Sequence, residues 1–136
     1  METMQEIEKT GLIYRHYDND IHEFIFTDDG EGGLDHFFEI VKSLLQDAPV
    51  DSTLRYIVDI QQSNGQSAMA GLVRRFRKLE AQLGERAAGR TVILHNGLVL
   101  LTLANTFLDT LAPSKDKTRF FTITERERAI SWLLHE

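Results

Sequence analysis

The chain has 136 residues, of which 42% are hydrophobic and 26% are charged, and its formal net charge is −6. These values are typical of one globular domain. The absence of cysteine excludes a disulfide framework, a thiolate nucleophile and a cysteine-ligated zinc site. No apolar run reaches the roughly 18 residues of a membrane-spanning helix, and the acidic start METMQEIEKT does not resemble a secretory signal. We therefore expect a cytoplasmic protein whose residues 1–10 are partly disordered.

Acidic side chains are concentrated in the first third of the chain. Residues 1–51 contain 13 acidic and 3 basic residues, whereas residues 52–136 contain 8 acidic and 12 basic residues. The overall acidity argues against a nucleic-acid-binding protein, which normally has a strongly basic domain. The simplest interpretation of this asymmetry is a solvated surface without a partner. The alternative is that two oppositely charged faces of the folded molecule steer an association.

In chain order, the first predicted elements are a hairpin and a helix. Residues 11–17 and 21–26 are rich in β-branched and aromatic residues, and the Asp-Asn-Asp turn between them indicates two antiparallel strands. The stretch TDDGEGG (27–33) interrupts regular structure, and we interpret its GEGG part (30–33) as a flexible turn. Residues 34–45 have apolar side chains at helical spacing and predict the first helix.

The rest of the chain alternates between short apolar runs and segments of helical periodicity. Six elements are predicted, beginning with a strand and ending with a helix: 54–60, 68–83, 90–96, 98–112, 118–123 and 124–134. Thr124 and Glu127 form a capping-box pattern at the start of the last helix. The resulting order β-β-α-β-α-β-α-β-α predicts a single α/β domain. Its sheet is expected to be mixed, mostly parallel and five-stranded, with an N-terminal β-hairpin and four helices.

Two stretches resemble the STAS domain, and most closely its SpoIIAA-like branch of anti-sigma-factor antagonists. These are YIVDI (56–60), which leads through a serine-containing loop into a helix, and RFFTITERERAISWLL (119–134). The resemblance covers residues 11–134. In the family the loop carries Asp-Ser followed by Ser-Gly-Leu, and the first serine is phosphorylated in regulatory members. In this chain the residue directly before Ser63 and the residue directly before Ser67 are not acidic.

The resemblance implies a regulatory protein-interaction module, switched by phosphorylation in the 61–67 loop. The SpoIIAA-like branch is also similar to the CRAL-TRIO lipid-transfer fold, which implies a pocket for an apolar ligand.

The predicted strand ends place polar residues along one edge of the sheet, where ligands of α/β proteins usually bind. Ser63 and Ser67 are the candidate phospho-acceptor or anion-binding residues, because the start of helix 68–83 favours an anion. Ser67 is equally suited to cap that helix without binding a ligand. The other members of this predicted rim are Asp59, Asn64, His95, Asn96, Thr122 and Thr124.

An aspartate, a histidine and a serine at one edge suggest a hydrolase. The sequence lacks the Gly-x-Ser-x-Gly nucleophile elbow, however, and no catalytic residue is predicted. Asp59 could instead have a structural role rather than act as a base, by binding backbone N–H groups of the following loop. The GEGG stretch (30–33) lacks the Lys-Ser/Thr of a phosphate-binding loop.

The remaining histidines match no metal-binding spacing, so neither a metal nor a cofactor is expected. They are His16, His22, His36 and His135. The first two belong to the predicted hairpin and could share one side of it, but we expect them to face solvent.

The basic run RRFRK contains Arg74, Arg75, Arg77 and Lys78. Its simplest interpretation is the solvent face of a packed helix. The alternative is a docking patch for an acidic surface, such as the first third of a second copy.

Three functions remain after these considerations. The first is a non-catalytic regulatory module that binds a protein partner. The second is a carrier or sensor of an apolar, lipid-like ligand, with helix 98–111 as one wall of the pocket. The expected lining residues are Phe37, Phe38, Phe107, Phe120 and Phe121. The third is an enzyme without a recognisable motif.

Overall fold

The computed structural model describes residues 1–63, 65–96 and 115–135, with the backbone alone over residues 65–69. Within this part, six strands form one sheet whose order follows the chain. The strands are β1 (Thr3–Lys9), β2 (Leu12–Tyr17), β3 (Ile21–Phe26), β4 (Thr53–Asp59), β5 (Ala88–His95) and β6 (Lys117–Thr122). The predicted helix 98–112, including Phe107, and the rim residue Asn64 lie outside the described residues.

Three helices are described. They are α1 (Glu31–Asp47), α2 (Gly65–Leu83) and α3 (Arg126–Leu134), and a single 3-10 turn (Ile123–Glu125) directly precedes α3. None of the described helices is long and apolar enough to cross a membrane.

The sheet is mixed. Strand β2 runs antiparallel to its two neighbours, β1 and β3, whereas β3, β4, β5 and β6 are parallel. The predicted α/β class, the N-terminal hairpin and the parallel remainder are therefore confirmed. The predicted number of five strands is wrong, because residues 3–9 form an edge strand where disorder was expected.

The sequence gives little sign of β1 because this strand has no buried face. Only Ile7 is partly buried and packs against the core, and the other residues of the strand are exposed. Its hydrogen bonds with β2 hold it in place, so the alternation of apolar and polar residues that identifies a half-buried strand is missing.

The sheet has two covered faces. On the α1–α2 face, Leu34 and Phe37 of α1 and Leu72 of α2 pack over the sheet. On the α3 face, Ala129 and Leu133 pack against another set of strand residues. Strand β4 contributes to both cores, as its continuous apolar sequence predicts for a central parallel strand.

Helix α1 begins at Glu31, so the GEGG stretch forms its first turn and is not a flexible loop. A Cβ atom on Gly33 would lie 2.6 Å from the carbonyl oxygen of Gly11. Gly11 itself has φ +78°, in the left-handed region. Glycine is therefore needed at both positions where the helix start touches the β1–β2 turn.

Two predicted helix starts are also shifted. The N–H of Thr122 donates to the Glu125 carboxylate at 3.0 Å, so the capping box lies two residues before the predicted Thr124 and Glu127. Helix α2 begins at Gly65, which makes Ser67 its third residue and not its N-cap.

Candidate functional site

The predicted rim exists as an edge of the sheet. Asp59, His95 and Thr122 are the last residues of β4, β5 and β6, which run in the same direction. Asp59 pairs with Leu94, however, and His95 pairs with Thr122. Because successive residues of a strand point to opposite faces, Asp59 lies on the α3 face and His95 on the α1–α2 face. The sheet separates the two side chains.

Asp59 is only 8% exposed. Its carboxylate accepts hydrogen bonds of 3.0 Å from the backbone and side-chain N–H groups of Gln61. Burial raises the pKa of Asp59, and the nearby Glu23 carboxylate raises it further, whereas the bonds from Gln61 and the charge of Arg126 lower it. The contacts of Asp59 therefore match a structural role, in which its carboxylate binds N–H groups of the loop that follows β4.

Glu23 lies on the same face and is 1% exposed. Its carboxylate accepts hydrogen bonds from the Arg126 guanidinium at 2.7 and 3.1 Å and from the Tyr17 hydroxyl at 2.5 Å. This ion pair ties β3 to the start of α3 and satisfies a carboxylate that would be costly to bury alone.

Ser63 closes the turn after β4. Its hydroxyl and its backbone N–H both point to the carbonyl oxygen of Ile60, at 3.1 and 3.3 Å. This serine is thus used locally, and its phosphorylation stays a prediction. The side chain of Ser67 lies outside the described part of the structure.

The other rim residues lie at or just after the ends of β5 and β6. His95 is buried, with its ring 6.3 Å from that of Phe120, and burial lowers its pKa. Asn96 and Thr124 are exposed, and the hydroxyls of Thr122 and Thr124 are 3.0 Å apart.

The four basic residues of the run in α2 do not share one environment. The guanidinium of Arg75 pairs with Asp35 of α1 and lies 5.7 Å from the centre of the Phe38 ring. Arg74, Arg77 and Lys78 are exposed. One basic residue therefore joins the two helices, and the other three remain on the surface.

A cavity of about 60 Å³ lies between the sheet and helices α1 and α2. Its apolar lining includes Phe37, Phe38, Val41, Leu72, Phe76 and Ile93. Phe37 and Phe38 were expected there. The expectation for Phe121 is wrong, because this ring packs on the α3 face near Trp132.

Polar groups line the sheet side of the cavity. They belong to Tyr56, Thr91, Thr118, Arg86 and Asp116. The Tyr56 hydroxyl is buried, and within the described residues it has no hydrogen-bond partner. Burial raises the pKa of Tyr56, so this group is a neutral hydroxyl at physiological pH.

A buried ion pair forms one end of the cavity. The guanidinium of Arg86 makes two bonds to the Asp116 carboxylate, at 2.9 and 2.5 Å, and one of 2.6 Å to Glu80. Asp116 also accepts the N–H of Gly89 at 2.7 Å. The charge of Arg86 is therefore balanced by protein carboxylates, and it is not available to attract an anionic ligand.

The hairpin contains a cluster that the sequence reasoning missed. His16 and His22 pair directly across β2 and β3, and their rings stack with centres 4.4 Å apart. His22 is only 3% exposed, so the expectation that both histidines face solvent is wrong. The Tyr14 hydroxyl lies 2.7 Å from Nδ1 of His22. Burial and the neighbouring His16 lower the pKa of His22 to about 4.

The sequence contains a signal that would have found this pair. A three-residue Asp-Asn-Asp turn between Tyr17 and Ile21 places residues 16 and 22 opposite each other in the hairpin. Cross-strand partners have Cβ atoms about 5 Å apart, so their side chains must share a face.

Three comparisons with known proteins were made: no family model, no curated protein and no solved structure matches this chain. The resemblance to the STAS domain accordingly stays a prediction.

Proposed function

We propose that this domain is a non-catalytic binding module for a small, neutral, amphiphilic molecule held in the cavity between the sheet and helices α1 and α2. The observation that carries the proposal is the Tyr56 hydroxyl, which is buried at the cavity wall without a partner in the described structure. Buried polar groups in native proteins are nearly always hydrogen-bonded, and an unpartnered one calls for an unseen water or ligand.

The shape of the cavity supports a molecule with an apolar body and one polar group. Aromatic and aliphatic side chains cover the helix side, whereas Tyr56, Thr91 and Thr118 lie on the sheet side. A ligand hydroxyl or carbonyl next to Tyr56 would complete its hydrogen bonding. Because Arg86 is neutralised by Asp116 and Glu80, a neutral polar group fits better than an anion.

The volume sets the size of the ligand. A cavity of about 150 Å³ holds benzene, so about 60 Å³ has room for fewer heavy atoms. The cavity is only partly enclosed, so a short alcohol or ketone, or the end of a longer chain, can place its polar end inside while the rest of the molecule lies in the opening. A whole lipid does not fit. The proposal thus narrows the expected lipid-like ligand to a much smaller one.

A titration with n-butanol, followed in 15N–1H correlation NMR spectra, tests the proposal. We expect saturable shifts at the backbone amides of Tyr56, Thr91 and Thr118. Tyr56→Phe removes the hydroxyl and should weaken n-butanol binding about tenfold, which corresponds to a hydrogen bond of roughly 1.4 kcal/mol. The apolar n-pentane should not distinguish Tyr56→Phe from wild type.

A substitution that fills the cavity gives a second test, and the same substitution at an exposed position is its matched control. Thr118→Leu places a larger side chain in the cavity and should abolish the shifts, whereas Thr124→Leu makes the same change at an exposed position and should leave them intact. Non-saturable shifts, or equal binding by wild type and Thr118→Leu, would show that n-butanol does not enter this cavity.

A second candidate is docking of a second copy of the chain on the exposed cations of α2. The supporting observation is that the side chains of Arg74, Arg77 and Lys78 are exposed on α2. The acidic first third offers the complementary charge.

Sedimentation at low and high salt tests this docking. Self-association should weaken as salt increases, and Arg74→Glu with Arg77→Glu should remove it, whereas the matched change Lys9→Glu in β1 should have little effect. A monomer at all protein concentrations and at low salt would contradict docking of a second copy.

A further inference from the structure

Three potential metal ligands come together at the turn of the β2–β3 hairpin. His16 and His22 occupy paired positions of the two strands, and Asp20 is the last residue of the turn between them. Ligand atoms of these three side chains all lie within 4.8 Å of one another. Asp20 has φ +64°, and this left-handed conformation is uncommon for a residue other than glycine.

The distances are close to those of a small coordination shell. Oδ1 of Asp20 lies 2.8 Å from Nε2 of His16 and 3.7 Å from Nε2 of His22. Ligand atoms bound at 2.0–2.1 Å in a tetrahedron are about 3.3 Å apart, between these two values. The separation between Asp20 and His22 is too long for a hydrogen bond, and an ion bound to both atoms would bridge it.

One ring must turn to complete the site. The two imidazole planes are stacked at 8°, so their Nε2 lone pairs do not yet converge on one point. The side chain of His16 is 26% exposed and can rotate, whereas His22 is buried and held. Rotation of the His16 ring about χ2 brings its Nε2 towards the ion without moving the strands.

A metal-binding histidine usually makes a hydrogen bond through the ring nitrogen that does not bind the metal, and Tyr14 provides this partner for His22. Its hydroxyl lies 2.7 Å from Nδ1 of His22, which leaves Nε2 of the same ring directed towards Asp20. In a metal-bound state Nδ1–H donates to the Tyr14 oxygen, and this fixes both the tautomer and the ring orientation.

We propose that His16, Asp20 and His22 form a binding site for a divalent transition-metal ion, with Zn²⁺ as the best match. Two imidazoles and one carboxylate suit zinc better than Mg²⁺ or Ca²⁺, which prefer oxygen ligands. The Asp20 side chain is 75% exposed, so the fourth position faces solvent and takes a water molecule. The ion would clamp the end of the hairpin, independently of the cavity proposed above.

Native mass spectrometry and thermal unfolding test the site in protein freed of any affinity tag and treated with chelator. One equivalent of Zn²⁺ should bind, and 100 μM Zn²⁺ should raise the Tm, because a ligand that binds only the folded state stabilises it. Cobalt substitution should give the intense visible absorption of a four-coordinate site, and Mg²⁺ at the same concentration should have no effect.

Substitutions of His16 and Asp20 test the site without changing the buried His22, so that a loss of zinc binding does not reflect a failure to fold. His16→Ala and Asp20→Asn should each reduce zinc affinity at least tenfold, while Asn still tolerates the left-handed conformation. His36→Ala removes another partly exposed histidine, on α1, and should leave affinity unchanged. Absence of zinc binding by wild type, or equal loss in His36→Ala, would overturn the proposal.

Discussion

Two tyrosine hydroxyls show how burial has different consequences at single residues. Tyr14 and Tyr56 are both buried on the α1–α2 face, yet only Tyr14 has a hydrogen-bond partner in the described structure, His22. A buried hydroxyl with a partner contributes to stability, and one without a partner costs free energy.

The matched substitutions Tyr14→Phe and Tyr56→Phe should therefore have different effects on the free energy of unfolding. Tyr14→Phe removes a hydrogen bond and should cost about 1 kcal/mol. Tyr56→Phe removes an unsatisfied group and should be neutral or slightly stabilising when the cavity is empty. Urea unfolding of ligand-free protein measures both, and a larger loss from Tyr56→Phe would show that its hydroxyl has a protein partner.

Asp59 carries a pH dependence that is opposite to that of an ordinary ion-paired carboxylate. Burial raises its folded-state pKa above the usual 3.8. The folded state thus favours the protonated acid, and this contribution to stability is lost as pH rises through the folded-state pKa. Glu23 and Arg126 are the charged groups that face Asp59 and affect its pKa.

We accordingly expect Asp59→Asn to increase the free energy of unfolding at pH 7. Asn keeps an oxygen that can accept the Gln61 N–H but carries no charge to bury. The difference from wild type should shrink as pH falls below the folded-state pKa and vanish below about pH 3.8. A difference that is constant with pH would mean that the Asp59 charge is not the cause.

At the scale of the elements, the sequence predicted those with buried periodic faces and missed the rest. Strand β4 and helix α2 have long apolar patterns and were found within a few residues. Strand β1 was missed because backbone pairing stabilises an edge strand without burying its side chains. The start of α1 was missed because three glycines in four residues usually indicate a turn.

The glycines at that helix start give a test. Gly33→Ala would place Cβ 2.6 Å from the Gly11 carbonyl oxygen and 3.1 Å from the Phe26 ring, and it should destabilise the protein by about 1–3 kcal/mol. Gly32→Ala is the matched control, because its Cβ would approach no atom closer than 3.4 Å.

Thermal or urea unfolding of the two variants distinguishes close packing from helix propensity. Gly32→Ala should be neutral or slightly stabilising, since alanine favours a helix more than glycine does. Equal effects of the two substitutions would contradict the close contact between α1 and the β1–β2 turn.

At the scale of the whole molecule, the sheet divides the polar residues into separate groups. The sequence could place Asp59 and His95 at the same edge, because parallel strands end together. The sequence could not show whether the two side chains lie on the same face of the sheet, because a shift of one residue in strand register reverses the face. Asp59 pairs with Leu94 rather than with His95. The Ser-His-Asp arrangement considered from the sequence is therefore divided by the sheet.

The cavity and the histidine pair are also products of tertiary structure. Tyr56 looks like any apolar residue of a central strand, and only the packing of α1 and α2 shows that its hydroxyl has no partner. His16 and His22 are six positions apart in sequence, and only the length of the turn brings them together.

A high-resolution crystal structure of the protein soaked in n-butanol would show which atoms contact the Tyr56 oxygen, on which the proposed binding in the cavity depends. We predict density for a small molecule in the cavity, with an oxygen atom about 2.7–2.8 Å from the Tyr56 hydroxyl. A cavity filled by protein side chains, with that hydroxyl bonded to another residue, would contradict the account.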